Sequence, residues 1–421
     1  MARIRRAGNS GGKMKRYRWM VLAACLVVLA GLSLAVVSCG SSGDGNGGQG
    51  DGSASKEPIV IGAPMGFTGF MVTWDGPVYA AAQLAVEDIN KAGGVLGRQL
   101  KLVKADTKSD PAVAPLATSQ VLDSGAQVII VSTDFDAGSP AALVAQSQAK
   151  ISSSGAVSPK FGVQGVGDMA YSFSDSSTTE AAVGAQFAYN KGWKTAYTLT
   201  DVTVAAERDF SQYFAETYTR LGGKVLAKDV FKNDDQSIAA QITHFKSLDP
   251  QPDMMVLASY APGGPAALRQ IRAAGINVPV VGADDWDGVF WLDAVPGVKD
   301  VYGIVPNSQF GDDPDPKVNE FFARLSKSLG KEYVDSSLAI GGYCWVQVYA
   351  HAVETAGTTD PAAVKKVLDS LTDFQALSGA YTYTAEDHIL YGRAMTVIGF
   401  SDNTGHFIER TQPSYVPPYK Y

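Results

Sequence analysis

Apolar and polar positions alternate along this chain in two rhythms that take turns. Short apolar runs predict strands at 59–63, 99–104, 127–131 and 169–173, and stretches with helical spacing between them predict helices at 77–92, 111–123 and 139–149. In the first of these helices Val78, Ala82, Ala85, Val86 and Ile89 share one face, whereas Glu87, Asp88 and Asn90 lie elsewhere. Gly93 then supplies the usual left-handed stop. A second series follows, with strands at 195–200, 225–231, 254–258, 278–282 and 301–305 and helices at 205–221, 236–247 and 263–274. From about 314 the pattern turns helical (314–329, 336–356, 360–370), and it closes with strands near 379–384 and 394–400.

Strands alternating with helices build parallel sheets through right-handed crossovers. Residues 58–421 exceed what one core normally organises, so the two series predict an α/β protein of two doubly wound lobes. In open α/β sheets a ligand sits outside the carboxyl ends of the strands. That rule selects loops 64–75, 132–139 and 152–158 in the first lobe and 201–205, 259–263 and 283–288 in the second.

The stretch before the first strand is of a different kind. Seven basic residues between Arg3 and Arg18 precede an apolar run from Trp19 to Val37, then Ser38 and Cys39. A basic start, an apolar centre and a small residue before cysteine describe a lipoprotein signal over residues 1–38, with Cys39 as the lipidated residue that holds the protein to a membrane. The apolar run is also long enough to remain as an uncleaved anchor, and either reading puts the remainder outside the cytoplasmic membrane. Met14 is a second possible start. Residues 39–57, rich in Gly and Ser, read as a flexible tether.

Charge narrows the partners. Removing seven of the 35 Lys and Arg leaves 28 against 42 Asp and Glu, a net charge of −14 for the mature chain. Nucleic acid binding needs a basic footprint, so it is excluded as a function. Cys25 leaves with the signal and Cys39 is acylated, so Cys344 is the remaining thiol and reads as a helix-core residue.

Within IVIGAPMGFTGFMVTWDGPVYAAAQLAVEDINKAGGVLGRQLKLV, the set Gly62, Thr68-Gly69, Trp74-Asp75-Gly76, Ala85, Asp88-Ile89-Asn90, Gly93-Gly94 and Gly97 resembles the opening of the type I periplasmic binding proteins of the leucine/isoleucine/valine-binding kind. The likeness extends, more weakly, to about residue 400. It implies a substrate-binding lipoprotein that closes around an amino acid, an amide or a related small solute and delivers it to an ABC permease with its ATPase. It also implies a central cleft and three hinge crossings, near Ser174, Asn307 and Leu371. The lobes are then 58–174 with 308–371, and 175–307 with 372–421.

The same resemblance places Trp74 against the ligand's side chain, Asp284 or Asp285 at its ammonium, and Tyr260 beside it. Each residue also has an ordinary structural role open to it: loop packing for Trp74, capping for Asp285, a surface turn for Tyr260. Where the family grips a carboxylate with hydroxyls and a tyrosine, this chain has Phe135, Val157 and Ala205. Backbone amides remain: Ser139-Pro140 reads as a helix start, with Ser153, Ser154 and Gly155 as further donors. Asp136 either caps that helix or meets the ligand, and an acid there repels a carboxylate. These departures predict a solute other than an ordinary branched-chain amino acid: an amide, a urea-like or cationic compound, or one with an aromatic part.

No constellation for catalysis is present. Beyond the expected signal over residues 1–38 the sequence lacks a GxSxG elbow, an HExxH pair and a P-loop, and His244, His351, His388 and His406 fall outside every selected loop. Without His or Cys nearby, the acidic run at 284–287 reads as a cation contact rather than a metal site. No cofactor is expected. The alternative to transport is a ligand-sensing subunit that acts through a separate membrane signalling partner, since the same fold serves both ends.

Overall fold

The computed structural model describes residues 57–421; the expected signal peptide, Cys39 and the tether up to Lys56 lie outside the described residues. The first lobe opens with β1 (Ile59–Met65), α1 (Val72–Lys91), β2 (Leu100–Asp106), α2 (Ala114–Asp123), β3 (Val128–Ile130), α3 (Phe135–Ser147), β4 (Ile151–Ser154) and β5 (Ala170–Ser172). The second lobe follows with α4 (Ser177–Asn190), β6 (Thr195–Asp201), α5 (Ala205–Arg220), β7 (Lys224–Phe231), α6 (Ala239–Ser247), β8 (Met254–Ala258), α7 (Gly263–Ala273), β9 (Val280–Gly282) and β10 (Val301–Val305). The chain then supplies α8 (Pro316–Leu329), α9 (Ala339–Ala356), α10 (Pro361–Leu368), the hairpin β11 (Phe374–Ala376) and β12 (Gly379–Tyr381), and finally β13 (Met395–Ser401) and β14 (Thr404–Thr411).

The first sheet is parallel, in the order β2-β1-β3-β4-β5. Strand alternation sends Ile59, Ile61, Val128 and Ile130 to one face, where α1, α8 and α9 cover them, and Val60, Ile129 and Val131 to the other, against Ala141, Ala142 and Ala145 of α3. Cys344 lies buried in α9, where its sulfur accepts a bond from the Ser378 amide at 3.3 Å. The second sheet runs β14-β13-β10-β9-β8-β6-β7; β6 to β10 are parallel, while β13 pairs antiparallel with β10 and β14 with β13. Its two faces carry separate cores, one built on Leu199, Leu257 and Leu268 and the other on α4 and α5.

The chain passes between lobes after β5, after β10 and before β13. The last passage differs from expectation: Leu371, Tyr381, Tyr383 and Leu390 all belong to the first lobe's core, so the crossing lies between Leu390 and Met395 rather than at Leu371. The β11–β12 hairpin continues the first lobe because Tyr381 and Tyr383 bury their rings there, their hydroxyls donating to the carbonyls of Phe173 and Ser172. Two helices start earlier than their sequence signals suggest. Pro77 and Pro140 look like first helical residues, yet α1 begins at Val72 and α3 at Phe135. Among the described residues no helix is long and apolar enough to cross a membrane.

Candidate functional site

The loops at the carboxyl ends of the strands in both lobes, together with Leu338 before α9, line one cavity of about 680 Å³, its open mouth included.

The first lobe's wall is held by Asp75. Its carboxylate is fully buried; Oδ2 accepts from the Gly66 amide at 2.7 Å, and Oδ1 accepts from the Thr133 amide and hydroxyl, both at 2.9 Å. One side chain in the first turn of α1 thereby ties the β1 loop to the β3 loop. Asp106 adds a second clamp, accepting from the amides of Phe67 and Thr68 and from the Thr68 hydroxyl. On this support Trp74 sits in the first turn of α1, not on a free loop, and meets Phe290 of the second lobe edge to face, at 6.3 Å between ring centres. Phe70, Met71 and Trp74 make the apolar part of the wall.

Thr133, Asp134 and Phe135 follow from β3, and Gly155, Val157 and Ser158 from β4. Asp134 is the true cap of α3, accepting from the Ala137 amide at 2.9 Å. Burial, reinforced by the charges of Asp136 and Asp285, pushes its carboxyl up to about 6.

The second lobe contributes Val204 to Glu207 at the start of α5, Tyr260 after β8, and Asp284 and Asp285 in a 3-10 turn after β9. Glu207 is fully buried, and neither carboxylate oxygen has a hydrogen-bond donor. Burial first, then the neighbouring Asp285, Asp201 and Glu180, holds its proton well above the usual carboxylate range. Burial and the charge of Glu180 do the same to Asp284, whose amide donates to Glu180 Oε1 at 2.6 Å. Burial and these carboxylates push the Tyr260 phenol up to about 12, so it stays protonated.

No Lys, Arg or His lines the cavity. Arg393 lies in a narrower space behind it, where it pairs with Asp175 through two bonds of 2.7 and 2.9 Å.

Of the residues singled out in the sequence, Trp74, Phe135, Gly155, Ala205, Tyr260, Asp284 and Asp285 all line this cavity. Asp136 and Ser154 do not. Asp136 is exposed in the first turn of α3, because the helix starts at Phe135 and not at Ser139-Pro140. Ser154 is sealed within β4, its hydroxyl donating to the Ser132 carbonyl at 2.7 Å and accepting from the Ala156 amide at 3.0 Å. Sequence reasoning missed Asp134 and Glu207. Asp134 carried a usable signal, an acid at the end of the β3 loop suited to an N-cap; Glu207 stood two residues beyond Ala205 in a helix's first turn.

A family model described as periplasmic binding protein matches residues 58–403. Among curated proteins, the chain is similar to a Leu/Ile/Val-binding protein, BraC3, of Rhizobium johnstonii: 23% identity over 332 residues, covering 77% of this chain and 87% of that protein. Among solved structures it resembles the branched-chain amino acid transporter substrate binding protein LivJ of Streptococcus pneumoniae in complex with isoleucine. The TM-score is 0.74 at 22% identity, over 85% of this chain and 100% of that one. A solute binding protein of an ABC transporter from R. palustris, in complex with benzoate, superposes with a TM-score of 0.70 at 16% identity, over 86% and 98%.

Proposed function

Because this chain belongs to the periplasmic binding protein family, we propose that it is the extracytoplasmic binding component of an ABC importer, capturing an amino-acid-like small solute by lobe closure and presenting it to a permease. The observation that carries this reading is the single cavity walled by strand-end loops of both lobes, with three chain crossings behind it. A solute touching both walls favours the closed arrangement by its contacts alone. The relatives named Leu/Ile/Val-binding protein, and the transporter proteins crystallised with isoleucine and benzoate, support the transport role. The site binds its solute without transforming it. Lipid attachment at Cys39 keeps the protein at the membrane; Cys39→Ser is expected to release it into the soluble fraction, and retention at the membrane would count against the anchor.

The test is a thermal-shift screen of small solutes paired with X-ray scattering. A solute at 1,000 times its dissociation constant adds about 4 kcal/mol of stability, and closure shrinks the radius of gyration. A broad screen of amino acids, amides, amines and aromatic acids that produces neither effect would remove the importer reading.

A further inference from the structure

We propose that the solute is an organic amine: a cation with an apolar body and no carboxylate. This rests on the binding-protein reading above and names its substrate class.

The argument begins with what a carboxylate would find. The hydroxyl of Thr133 is spent on Asp75. Phe135, Val157 and Ala205 have no side-chain donor, and no cationic side chain lines the cavity. Asp134, Glu207, Asp284 and Asp285 stand on the walls instead, from both lobes. An amino acid's carboxylate entering here finds the hydroxyls of Ser158 and Tyr260 and the protonated carboxyls as donors, but no positive charge to offset its own.

A cation finds the reverse. The acids around the second wall are unequally occupied. Asp201 already accepts from Ser259, Asn233 and the Thr203 amide, and Glu180 accepts from the Asp284 amide. Asp287 accepts from Ser336 and Ser337. Glu207 differs from these three: no donor reaches either of its oxygens, and its protonated carboxyl, on the cavity wall, has only the Asp285 carboxylate as its partner. A buried carboxyl with no donor is costly unless something else satisfies it; an ammonium donates charge-assisted hydrogen bonds to this pair.

Trp74, Phe135 and Tyr260 offer ring surface for the apolar body and for the cation itself. Among the described residues no three His, Cys, Asp or Glu side chains are grouped to hold a metal ion, so the geometry favours an organic cation over a metal.

Titration then separates a cation from its competitors. Glu207 retains its proton in the empty site through burial and through Asp285, Asp201 and Glu180; Arg208, next to it in sequence, is exposed and donates to the Val202 carbonyl. An ammonium must displace that proton, so affinity rises with pH. A carboxylate or neutral solute would use the protonated carboxyl as a donor, and its affinity would fall.

The experiment is isothermal titration calorimetry on the full chain with phenethylamine, cadaverine, leucine and benzoate, at about pH 5.5 and about pH 8, where both amines stay protonated. We expect at least one amine to bind about tenfold or more tighter at the higher pH. Glu207→Gln should weaken it about tenfold or more without lowering the melting temperature, since the amide is neutral like the protonated acid. Leucine or benzoate binding while both amines fail would overturn the amine assignment and leave the binding-protein reading standing. Amine binding indifferent to pH and to Glu207→Gln would overturn it as well, as would silence from all four probes; the binding-protein reading then stands or falls on the broader screen above.

Discussion

Asp75 shows how much one side chain can organise. It gathers three donors from two loops in a site closed to water, and burial raises its carboxyl above the usual range even though all three bonds pull the other way. Asp75→Ala strands the buried Gly66 and Thr133 amides, at about 1–3 kcal/mol for each donor left unsatisfied. The expected loss is therefore about 2–6 kcal/mol in urea unfolding, accompanied by weaker ligand binding because Thr133 and Trp74 lose their support. A loss below about 1 kcal/mol would mean that water or a shifted loop replaces the carboxylate. At this scale the strand-end rule chose the loops and the family resemblance chose Trp74, Tyr260, Asp284 and Asp285 within them, and all four line the cavity. Sequence reading failed where one element boundary was misplaced: taking Pro140 for a helix start moved attention from Asp134, which caps α3, to Asp136, which is exposed and does not line the cavity.

Elements went unread when their polarity hid their role. The strand β4 has the sequence ISSS, which reads as a loop, yet the hydroxyls of Ser153 and Ser154 donate to the carbonyls of Ile129 and Ser132, so the polar side chains fit a buried strand. Helix α4 is buried on nearly every face, with small residues throughout, and so presents no amphipathic stripe. Strand β14 follows a two-residue turn at Asp402 and Asn403, both at positive φ, a hairpin signal present but unused. The resemblance places the last hinge crossing near Leu371 and gives the strand near 379–384 to the second lobe, whereas the β11–β12 hairpin buries Tyr381 in the first lobe's core. The crossing's actual position gives Arg393 its meaning. The Arg393 guanidinium grips Asp175 of the first crossing with two bonds, while Leu390 exchanges backbone bonds with Ser174 and Ser176. Two hinge strands are thereby fastened together. Removing one partner of a buried pair costs about 3–5 kcal/mol because the other charge is left unpaired. Arg393→Leu should lose that much in guanidinium unfolding, and adding Asp175→Asn should restore a large part of it. A double variant no better than the single one would show that Arg393 acts through its bonds to the carbonyls of Ser378 and Ala380 instead.

Across the whole molecule the buried acids set a pH dependence of unusual direction. Asp287 of the second lobe reaches Ser336 and Ser337 beside α9, accepting from both hydroxyls and the Ser337 amide through Oδ2, while Oδ1 has no partner. Burial nevertheless wins and pushes its carboxyl up to about 7, the proton having Oδ1 as its place. An unfolded aspartate titrates near about 3.9. Between those values the folded protein binds the extra proton, so the stability Asp287 contributes is complete below about pH 4, falls as pH rises, and is gone above about 7. Asp134, pushed up to about 6, acts in the same direction over a lower window, and Glu180, Glu207 and Asp284 are raised as well. Surface carboxylates such as Asp88 and Asp106 are held below the usual range by Arg324 and by loop donors, so their contribution is lost only as pH falls beneath the range where free carboxylates titrate. The two groups together place maximum stability of the empty protein near about pH 4, with a decline of several degrees in melting temperature by about pH 8, each unit of raised pKa being worth about 1.4 kcal/mol. Asp287→Asn keeps an oxygen for the three donors and a neutral group at the empty corner, so it should flatten that decline while changing little at about pH 4. A bound amine should flatten it too, because it supplies the positive charge that the cavity's ionised acids lack; a melting temperature that instead climbs steadily from about pH 5 to about pH 8 would show that the buried carboxylates are already compensated in the empty protein.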